Sequence, residues 1–163
     1  MASAVDGGDA GVDLSCAWAR RAQVGRQALG TFSLRGGMGS HGVVLFAHGA
    51  RDPRWAEPFE RLRARLLELR GAAAGPVSLA FLELMTPGLP EAVAAQVAAG
   101  ASVVTVVPVF FGQGGHVRRD LPVILDQCRS ANPSAEIRCA TAVGEDAEVI
   151  EAMAGYCLRQ ALV

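Results

Sequence analysis

The chain has 163 residues, a formal net charge of −1 and 51% hydrophobic residues, enough apolar material for one domain with one core. This charge balance is too neutral for a protein that binds nucleic acid by neutralising phosphates. No apolar run reaches the ~20 residues of a membrane span, so we expect neither nucleic acid nor a membrane as a partner. All 15 basic residues are arginine, and the absence of lysine excludes P-loop nucleotide hydrolases and Schiff-base enzymes.

The cysteines indicate the compartment in which the protein works. They lie at positions 16, 128, 139 and 157, and none forms a Cys-x-x-Cys pair or a zinc-finger spacing. Scattered thiols of this kind are typical of a protein kept in a reducing cytosol. We therefore predict a cytoplasmic location.

Residues 1–40 differ in composition from the rest of the chain. They are rich in Gly, Ala, Ser and Arg, and they lack both a strand-like run and the apolar segment of a secretory signal. Asp6, Asp9 and Asp13 are atypical of an organelle transit peptide. We interpret residues 1–40 as a disordered extension or as sequence upstream of the true start, with Met38 as the candidate initiator. Residues 41–163 then form a single α/β domain.

From Gly42 onward, apolar runs alternate with amphipathic segments. Residues 43–47 predict a strand that is buried on both faces. Asp52 and Pro53 predict the cap and first position of a helix that ends at Gly71. The apolar stripe expected for this helix comprises Trp55, Phe59, Leu62, Leu66 and Leu69.

The remaining elements continue the same alternation. Strands are predicted at residues 77–84, 102–107 and 136–140. Helices are predicted from 86–88 to Gly100, over 117–130 and over 146–162. The βαβαβαβα order predicts an α/β fold of the flavodoxin-like type, a doubly wound three-layer sandwich with a four-stranded parallel sheet.

Three chemically versatile side chains fall at the carboxyl ends of the predicted strands, where open parallel sheets bind ligands. His48 follows the first strand, Glu83 closes the second, and His116 follows the third after a glycine-rich loop. Two imidazoles and one carboxylate suit Fe²⁺, Co²⁺, Ni²⁺ or Zn²⁺, and three protein ligands leave a position open for a substrate atom. We predict a metal site and catalytic centre at His48, Glu83 and His116.

Each of these residues also has an ordinary structural interpretation. His48 could hydrogen-bond its own loop, Glu83 could be a surface carboxylate, and His116 could be a surface residue at a helix start. Gly49 permits a ligand or a backbone segment to approach His48 closely. His41 precedes the first strand, at its opposite end, and we interpret it as uninvolved.

Arginines flank the same edge of the predicted sheet and can grip carboxylates bidentately. Together with two loop glycines they form the candidate substrate-binding set of Arg51, Arg54, Arg118, Arg119, Gly114 and Gly115. We interpret four other arginines as a solvated helix face, namely Arg61, Arg63, Arg65 and Arg70. The pair Phe110 and Phe111 is interpreted as core packing, with contact to a ligand as the alternative.

The residues at these strand ends resemble those of a known family. The stretches Leu45-Phe46-Ala47-His48-Gly49, Ala80-Phe81-Leu82-Glu83 and Pro108 to Pro122 are similar to the small sirohydrochlorin chelatases. These are the class II, ATP-independent enzymes that insert cobalt or iron during cobalamin and sirohaem synthesis. The resemblance extends over residues 42–161, and its last stretch is the most specific.

The resemblance implies a sirohydrochlorin-type tetrapyrrole as substrate and a homodimer as the assembly. It implies His48 and His116 as metal-binding and catalytic residues, with Glu83 as the third member. The divalent metal is then a substrate rather than a tightly bound cofactor, with Co²⁺ favoured, Fe²⁺ next and Ni²⁺ third. Ala50 departs from the family, in which a serine often follows the His-Gly pair.

Two other functions use the same residues. A divalent-metal carrier or sensor would bind metal through His48, Glu83 and His116 without turnover. A histidine phosphatase would use His48 as nucleophile, and His48-Gly49 followed by Arg51 is faintly similar to its motif. Ala47 occupies the position where that motif needs an arginine, which disfavours the phosphatase.

Overall fold

The computed structural model describes residues 40–112 and 114–161, apart from the side chains of Ala72, His116, Val117 and Arg118. The chain divides into two units, Met1–Gly37 and Met38–Val163, and the fold described here is that of the second unit. The predicted extension over residues 1–40 lies outside the described residues except for Ser40, where the first strand begins.

Strands and helices alternate throughout the described range, as the sequence predicts. The strands pair in parallel in the order β2-β1-β3-β4, so β1 and β3 are central. This arrangement confirms the predicted α/β fold with a four-stranded parallel sheet. The elements are β1 (Ser40–Ala47), α1 (Glu57–Arg70), β2 (Val77–Phe81), α2 (Leu89–Ala98), β3 (Ala101–Pro108), α3 (Gly115–Ala131), β4 (Glu136–Cys139) and α4 (Ala147–Ala161).

The continuous apolar run of β1 serves two cores because successive strand residues point to opposite faces. Val44 and Phe46 are fully buried on the face covered by α2 and α3, where they meet Leu89 and Val93. On the other face, alternate residues of β1 and β2 pack against α1. That second cluster comprises Leu45, Ala47, Val77, Leu79 and Phe81, with Phe59, Leu66 and Leu67 from α1.

The start of the first helix is confirmed, but its apolar stripe is partly wrong. Asp52 accepts a hydrogen bond from the Arg54 backbone and caps a 3₁₀ turn, Pro53–Ala56, that precedes α1. The 3₁₀ turn winds three residues per turn, which puts Trp55 out of phase with α1. Within α1, Phe59, Leu66 and Leu67 pack on the sheet, so the buried face is rotated away from Leu62 and Leu69. Of the predicted stripe, Phe59 and Leu66 are half-buried against the sheet, whereas Trp55, Leu62 and Leu69 are exposed.

Arg70 does not belong to a solvated helix face. Its Nη2 donates to the carbonyl oxygens of His41 and Ala74, each at 2.6 Å. The guanidinium therefore ties the end of α1 to the start of β1. Arg63 and Arg65 fit the predicted solvated face better, because they form ion pairs along the helix with Glu60 and Glu68.

The second strand ends at Phe81 and not at Leu84. Leu84 has a φ of 62°, and the Met85 N–H donates to the Glu83 carbonyl at 2.8 Å, which closes a three-residue turn. The run Leu82-Glu83-Leu84-Met85 is apolar enough to predict a strand, but the chain reverses there. Glu83 therefore lies in the turn that follows β2, and its side chain is exposed.

None of the described residues of α4 is buried. Asp146 precedes the helix and caps it, because its Oδ1 accepts hydrogen bonds from the backbone N–H groups of Glu148 and Val149. Its contacts within the described chain are mainly with the preceding 3₁₀ turn, Val143–Glu145. In the part of the chain that the structure describes, no helix is long and apolar enough to cross a membrane.

Candidate active site

The strand order gathers the predicted site residues at one edge of the sheet. His48 directly follows β1, and Glu83 comes two residues after β2. His116 is the second residue of α3, which follows β3 after a short loop. Because β1 lies between β2 and β3, the three residues come from three neighbouring strands, with His48 in the middle.

Backbone hydrogen bonds join the ends of β1 and β2. The Glu83 N–H donates to the His48 carbonyl at 3.0 Å, and the Leu82 N–H donates to the Ala47 carbonyl at 2.8 Å. Gly49 has a φ of 88°, and a Cβ there would collide with the Glu83 carbonyl oxygen. The close approach predicted at Gly49 is therefore made by the backbone of Glu83, which holds the two candidate residues side by side.

The His48 ring is half-buried and rests on an aromatic partner. Its centroid lies 4.4 Å from that of Phe110, with 45° between the ring planes. Phe110 is only 2% exposed and packs edge-on against Phe46, at 5.5 Å between centroids. This stack limits the orientations of the imidazole. Sequence reasoning did not identify the contact, because spacing along the chain does not reveal a partner 62 residues away.

The two neighbouring phenylalanines have different environments. Phe110 is buried, which confirms its predicted packing role, whereas Phe111 is 61% exposed, so the packing prediction is wrong for Phe111. The Gly144 N–H donates to the Phe110 carbonyl at 2.9 Å, and a Cβ on Gly144 would collide with the Phe111 carbonyl oxygen. The backbone that carries the exposed Phe111 ring is therefore held in place beside the site.

The loop before α3 leaves open space at its glycines. Gly114 is the N-cap residue of α3 and Gly115 is its first residue, and both are exposed. Among the described residues, no atom lies within 4 Å of a Cβ placed on either. Packing within the described chain therefore does not require glycine at these two positions, and a ligand could approach the backbone there.

The metal-ligand set stays a prediction. Among the described side chains, no three His, Cys, Asp or Glu residues lie close enough together to hold a metal ion. The side chain of His116, the third member of the predicted set, is outside the described residues. The structure places the backbones of His48 and Glu83 together and begins α3 at the same sheet edge.

The arginines predicted to bind substrate differ in their exposure and in their hydrogen-bond partners. Arg54 binds Asp52 in its own loop, with Nη2 to Oδ2 at 2.6 Å and Nε to both oxygens at 3.1 Å. This hydrogen bonding lowers the pKa of the Asp52 carboxyl. Arg51 is exposed, Arg119 donates to the Gly115 carbonyl within α3, and the side chain of Arg118 is not described. Since exposed ion pairs contribute little stability, a substrate carboxylate can compete for Arg54.

His41 lies at the opposite end of β1, as expected. Its Nε2 hydrogen-bonds Thr105 Oγ1 at 2.8 Å. Burial lowers the pKa of His41, and the nearby Arg70 and Arg138 lower it further. The residue therefore belongs to a structural contact between β1 and β3, far along the strand from His48.

Comparisons with known proteins agree with this fold. The family model CbiX matches residues 42–156. A sirohydrochlorin cobaltochelatase from Saccharolobus solfataricus is 31% identical over 118 residues, which cover 69% of this chain and 89% of the relative. The crystal structure of the CbiX protein from Marinobacter aquaeolei VT8 superposes with a TM-score of 0.64 at 29% identity, covering 74% of this chain and 97% of that one.

A longer structural neighbour is the sirohydrochlorin chelatase SirB from Bacillus subtilis subspecies spizizenii, solved in complex with cobalt. It superposes with a TM-score of 0.56 at 27% identity, covering 69% of this chain and 47% of SirB. The matched part is therefore about half the length of SirB.

The fold and these matches define an enzyme of the class II chelatase type, which confirms the class predicted from the strand-end residues. The chain belongs to the CbiX family.

Proposed function

We propose that this protein inserts a divalent metal into sirohydrochlorin without ATP, as a step of cobalamin or sirohaem biosynthesis. The observation that carries the proposal is the backbone contact between His48 and Glu83 at the carboxyl edge of a CbiX-family sheet. The name of the Saccharolobus solfataricus relative supports the same substrate. The reaction exchanges two pyrrole N–H protons for one divalent cation and leaves the total charge unchanged. A chain without lysine has no P-loop for ATP, which supports insertion without a nucleotide.

The proposed chemistry divides metal binding and proton transfer among His48, His116 and Glu83. An imidazole can act as a general base near neutral pH. A ring nitrogen that binds metal cannot accept a proton at the same time, so one histidine acts as ligand while the other acts as base. Glu83 is exposed in the turn after β2, where it can ligate the metal or relay a proton to solvent.

The proposed substrate is a planar macrocycle that carries several carboxylates. Arg51, Arg54, Arg118 and Arg119 supply guanidinium groups for those carboxylates. The exposed Phe111 ring offers an apolar surface for the macrocycle plane, next to the Phe110 ring on which His48 rests. Open space at Gly114 and Gly115 lets the substrate approach the start of α3.

The proposed metal order is Co²⁺, then Fe²⁺, then Ni²⁺. The cobalt in the SirB complex and the cobaltochelatase name of the archaeal relative support Co²⁺. Binding affinity alone does not decide which metal is inserted. The affinity of protein sites for divalent ions generally rises from Fe²⁺ through Co²⁺ to Ni²⁺, and the supply of each metal in the cell also matters. We propose the metal as substrate and no resident cofactor.

We also propose that the active form is a homodimer. The matched part of this chain covers 47% of SirB, so two copies together approach the length of that enzyme. A second copy would supply the other wall of a cleft over the sheet edge. The cytoplasmic location inferred from composition and cysteines stays a prediction.

The test is anaerobic absorbance of the purified protein with sirohydrochlorin and each of Co²⁺, Fe²⁺ and Ni²⁺, against reactions without enzyme. We expect a metal-dependent spectral change that is faster than the control and is lost in His116→Ala. Tight metal binding with no acceleration for any metal would replace this proposal with the carrier function.

A further inference from the structure

The turn after β2 carries three apolar side chains, and only two of them pack in the cores. Leu82 packs against the cluster on the sheet face covered by α2 and α3, and Met85 packs against the cluster on the α1 face. Leu84 lies between them in the chain and is 62% exposed. A single exposed leucine is ordinary on a protein surface, but this one also has an unusual backbone conformation.

The backbone at Leu84 is in a conformation that leucine rarely adopts. Its φ of 62° lies in the left-handed region, which favours glycine and asparagine, and among the described residues other than glycine Leu84 alone has a positive φ. The Met85 N–H donates to the Glu83 carbonyl at 2.8 Å, so Leu84 is the central residue of a three-residue turn of the rarer, strained kind. Strain of this sort persists where neighbouring contacts enforce it, and it is concentrated at ligand sites.

Neighbouring contacts hold this turn at the candidate active site. The Glu83 N–H donates to the His48 carbonyl at 3.0 Å. The Glu83 carbonyl, which accepts from Met85, lies so close to Gly49 that a Cβ there would collide with it. The strained turn therefore exposes an apolar side chain one residue away from the backbone contact between Glu83 and His48.

A second exposed apolar residue lies on the other side of His48. Phe111 is 61% exposed and follows Phe110 in the loop after β3. Strands β2 and β3 pair with opposite edges of β1, so Leu84 and Phe111 flank the central His48. Binding sites typically surround a few polar groups with apolar ones. A flat macrocycle whose nitrogens react at its centre fits this arrangement.

We propose that Leu84 contacts the apolar part of the tetrapyrrole, on the opposite side of His48 from Phe111, and that the strained turn serves to expose this side chain next to Glu83. The inference rests on the proposed function and adds a substrate-binding residue to it. Bound substrate covers Leu84, and removal of its apolar surface from water then contributes to affinity.

Leu84→Asn tests the contact, because asparagine adopts the left-handed conformation more readily than leucine and lacks its apolar surface. We expect an unchanged or higher urea midpoint, a KM for sirohydrochlorin raised by about 5–10-fold and a kcat within about twofold of wild type. Leu84→Met keeps an apolar side chain and should have a KM close to that of wild type. Leu69→Asn is the matched control, because Leu69 is 66% exposed but directly precedes Arg70, which bonds His41 at the opposite edge of the sheet.

Two further measurements identify an indirect effect. Co²⁺ titration without tetrapyrrole should give the same Kd for wild type and Leu84→Asn, and sedimentation velocity should give the same assembly for both. Weaker Co²⁺ binding, or a lower kcat at unchanged KM, would show that Leu84 only positions Glu83. A changed assembly would show that Leu84 belongs to an interface between copies. Each of these results would overturn the substrate contact.

Substrate binding and metal insertion can fail separately. Anaerobic absorbance titration with metal-free sirohydrochlorin measures binding without turnover. If the wild type binds the macrocycle and inserts no metal, the proposed function fails, whereas weaker binding by Leu84→Asn still supports the contact. If the wild type inserts metal and Leu84→Asn matches it in KM and in binding, the contact is overturned and the function stands. A wild type that neither binds nor inserts overturns both.

Discussion

At the residue scale, substitution of His48 and His116 is the most direct test of the proposed chemistry. Each imidazole is proposed to hold metal or to accept a pyrrole proton, and loss of a positioned acid–base group costs about 10²–10⁴-fold in rate. We expect His48→Ala and His116→Ala each to lower kcat/KM for insertion by at least ~10²-fold in an anaerobic assay. His41→Ala, at the far end of β1, is the matched control. Near-normal rates in both site variants would refute the assignment.

Phe111 tests how the macrocycle is held. Its ring is exposed on a backbone fixed by Gly144, so truncation should remove contact with the substrate and leave the fold intact. An aromatic stacking contact contributes about 0.5–1.5 kcal/mol, so Phe111→Ala should raise KM for sirohydrochlorin about 2–10-fold while kcat changes little. Val123→Ala, an exposed position on α3, serves as control. An unchanged KM would argue against the stacking role.

Gln96 is a buried polar residue of α2, and the apolar pattern of that helix does not predict its burial. Its Nε2 donates to the Val43 carbonyl and to Ser78 Oγ, and its Oε1 occupies the space that a Cβ on Gly42 would need. Gly42→Ala should lower the free energy of unfolding by about 1–3 kcal/mol, the usual cost of overpacking. Urea unfolding measures the change.

A double-mutant cycle identifies the cause of that loss. If the clash with Gln96 is responsible, Gly42→Ala should cost clearly less in a Gln96→Ala background, because the two residues are in contact. Equal costs in both backgrounds would show that the backbone of β1, and not the amide, opposes the new methyl group.

The turn after β2 is the part of the site that depends most on contacts between neighbouring secondary-structure elements. Gly49 and Glu83 meet backbone to backbone, and this contact orders the ends of β1 and β2. Gly49→Ala combines an unfavourable φ with a collision, so we expect a loss of about 1–3 kcal/mol in stability and a fall in kcat. Ala50→Gly, one residue on, controls for a change in the same loop. Full activity in Gly49→Ala would show that the contact does not position His48.

Sequence patterns predicted elements well where one local signal dominates. The β-branched run of β3 and the Asp52-Pro53 cap are such signals, and both appear as expected. The end of β2 was predicted too late because Leu82 and Leu84 continue the apolar pattern through a reversal that only the φ of Leu84 shows. In α1 the 3₁₀ turn put Trp55 out of phase, and the helix turns Leu67 rather than Leu62 and Leu69 toward the sheet, which spacing along the chain does not decide.

The same holds for the candidate site: features set by the local sequence were predicted, and features set by tertiary packing were not. Order along the chain put His48, Glu83 and the start of α3 at strand ends, and parallel pairing then brings those ends together. The stacking of His48 on Phe110 and the exposure of Phe111 depend on tertiary packing, which periodicity does not encode. The positions of these residues at strand ends were thus predictable, whereas the order of the strands in the sheet and the side-chain environments were not.

At the scale of the whole molecule, the sheet was predictable and the cover of its second face was not. Alternating patterns specify that α4 is an amphipathic helix, but they do not say on which chain its apolar stripe is buried. A helix packed on its own sheet and a helix packed on a partner's sheet need the same sequence pattern. In the described chain, Ile150, Met153 and Tyr156 of α4 remain 46%, 38% and 56% exposed, so the described packing does not bury them.

If the proposed homodimer is obligate for folding, the stability of the fold depends on protein concentration. A folded dimer that unfolds to two separate chains gains about 1.4 kcal/mol for each tenfold rise in concentration. We expect the urea midpoint of the wild type to rise with protein concentration. Circular dichroism at several concentrations measures the midpoint. A wild-type midpoint that does not change with concentration would mean that each chain folds without a partner and would argue against an obligate homodimer.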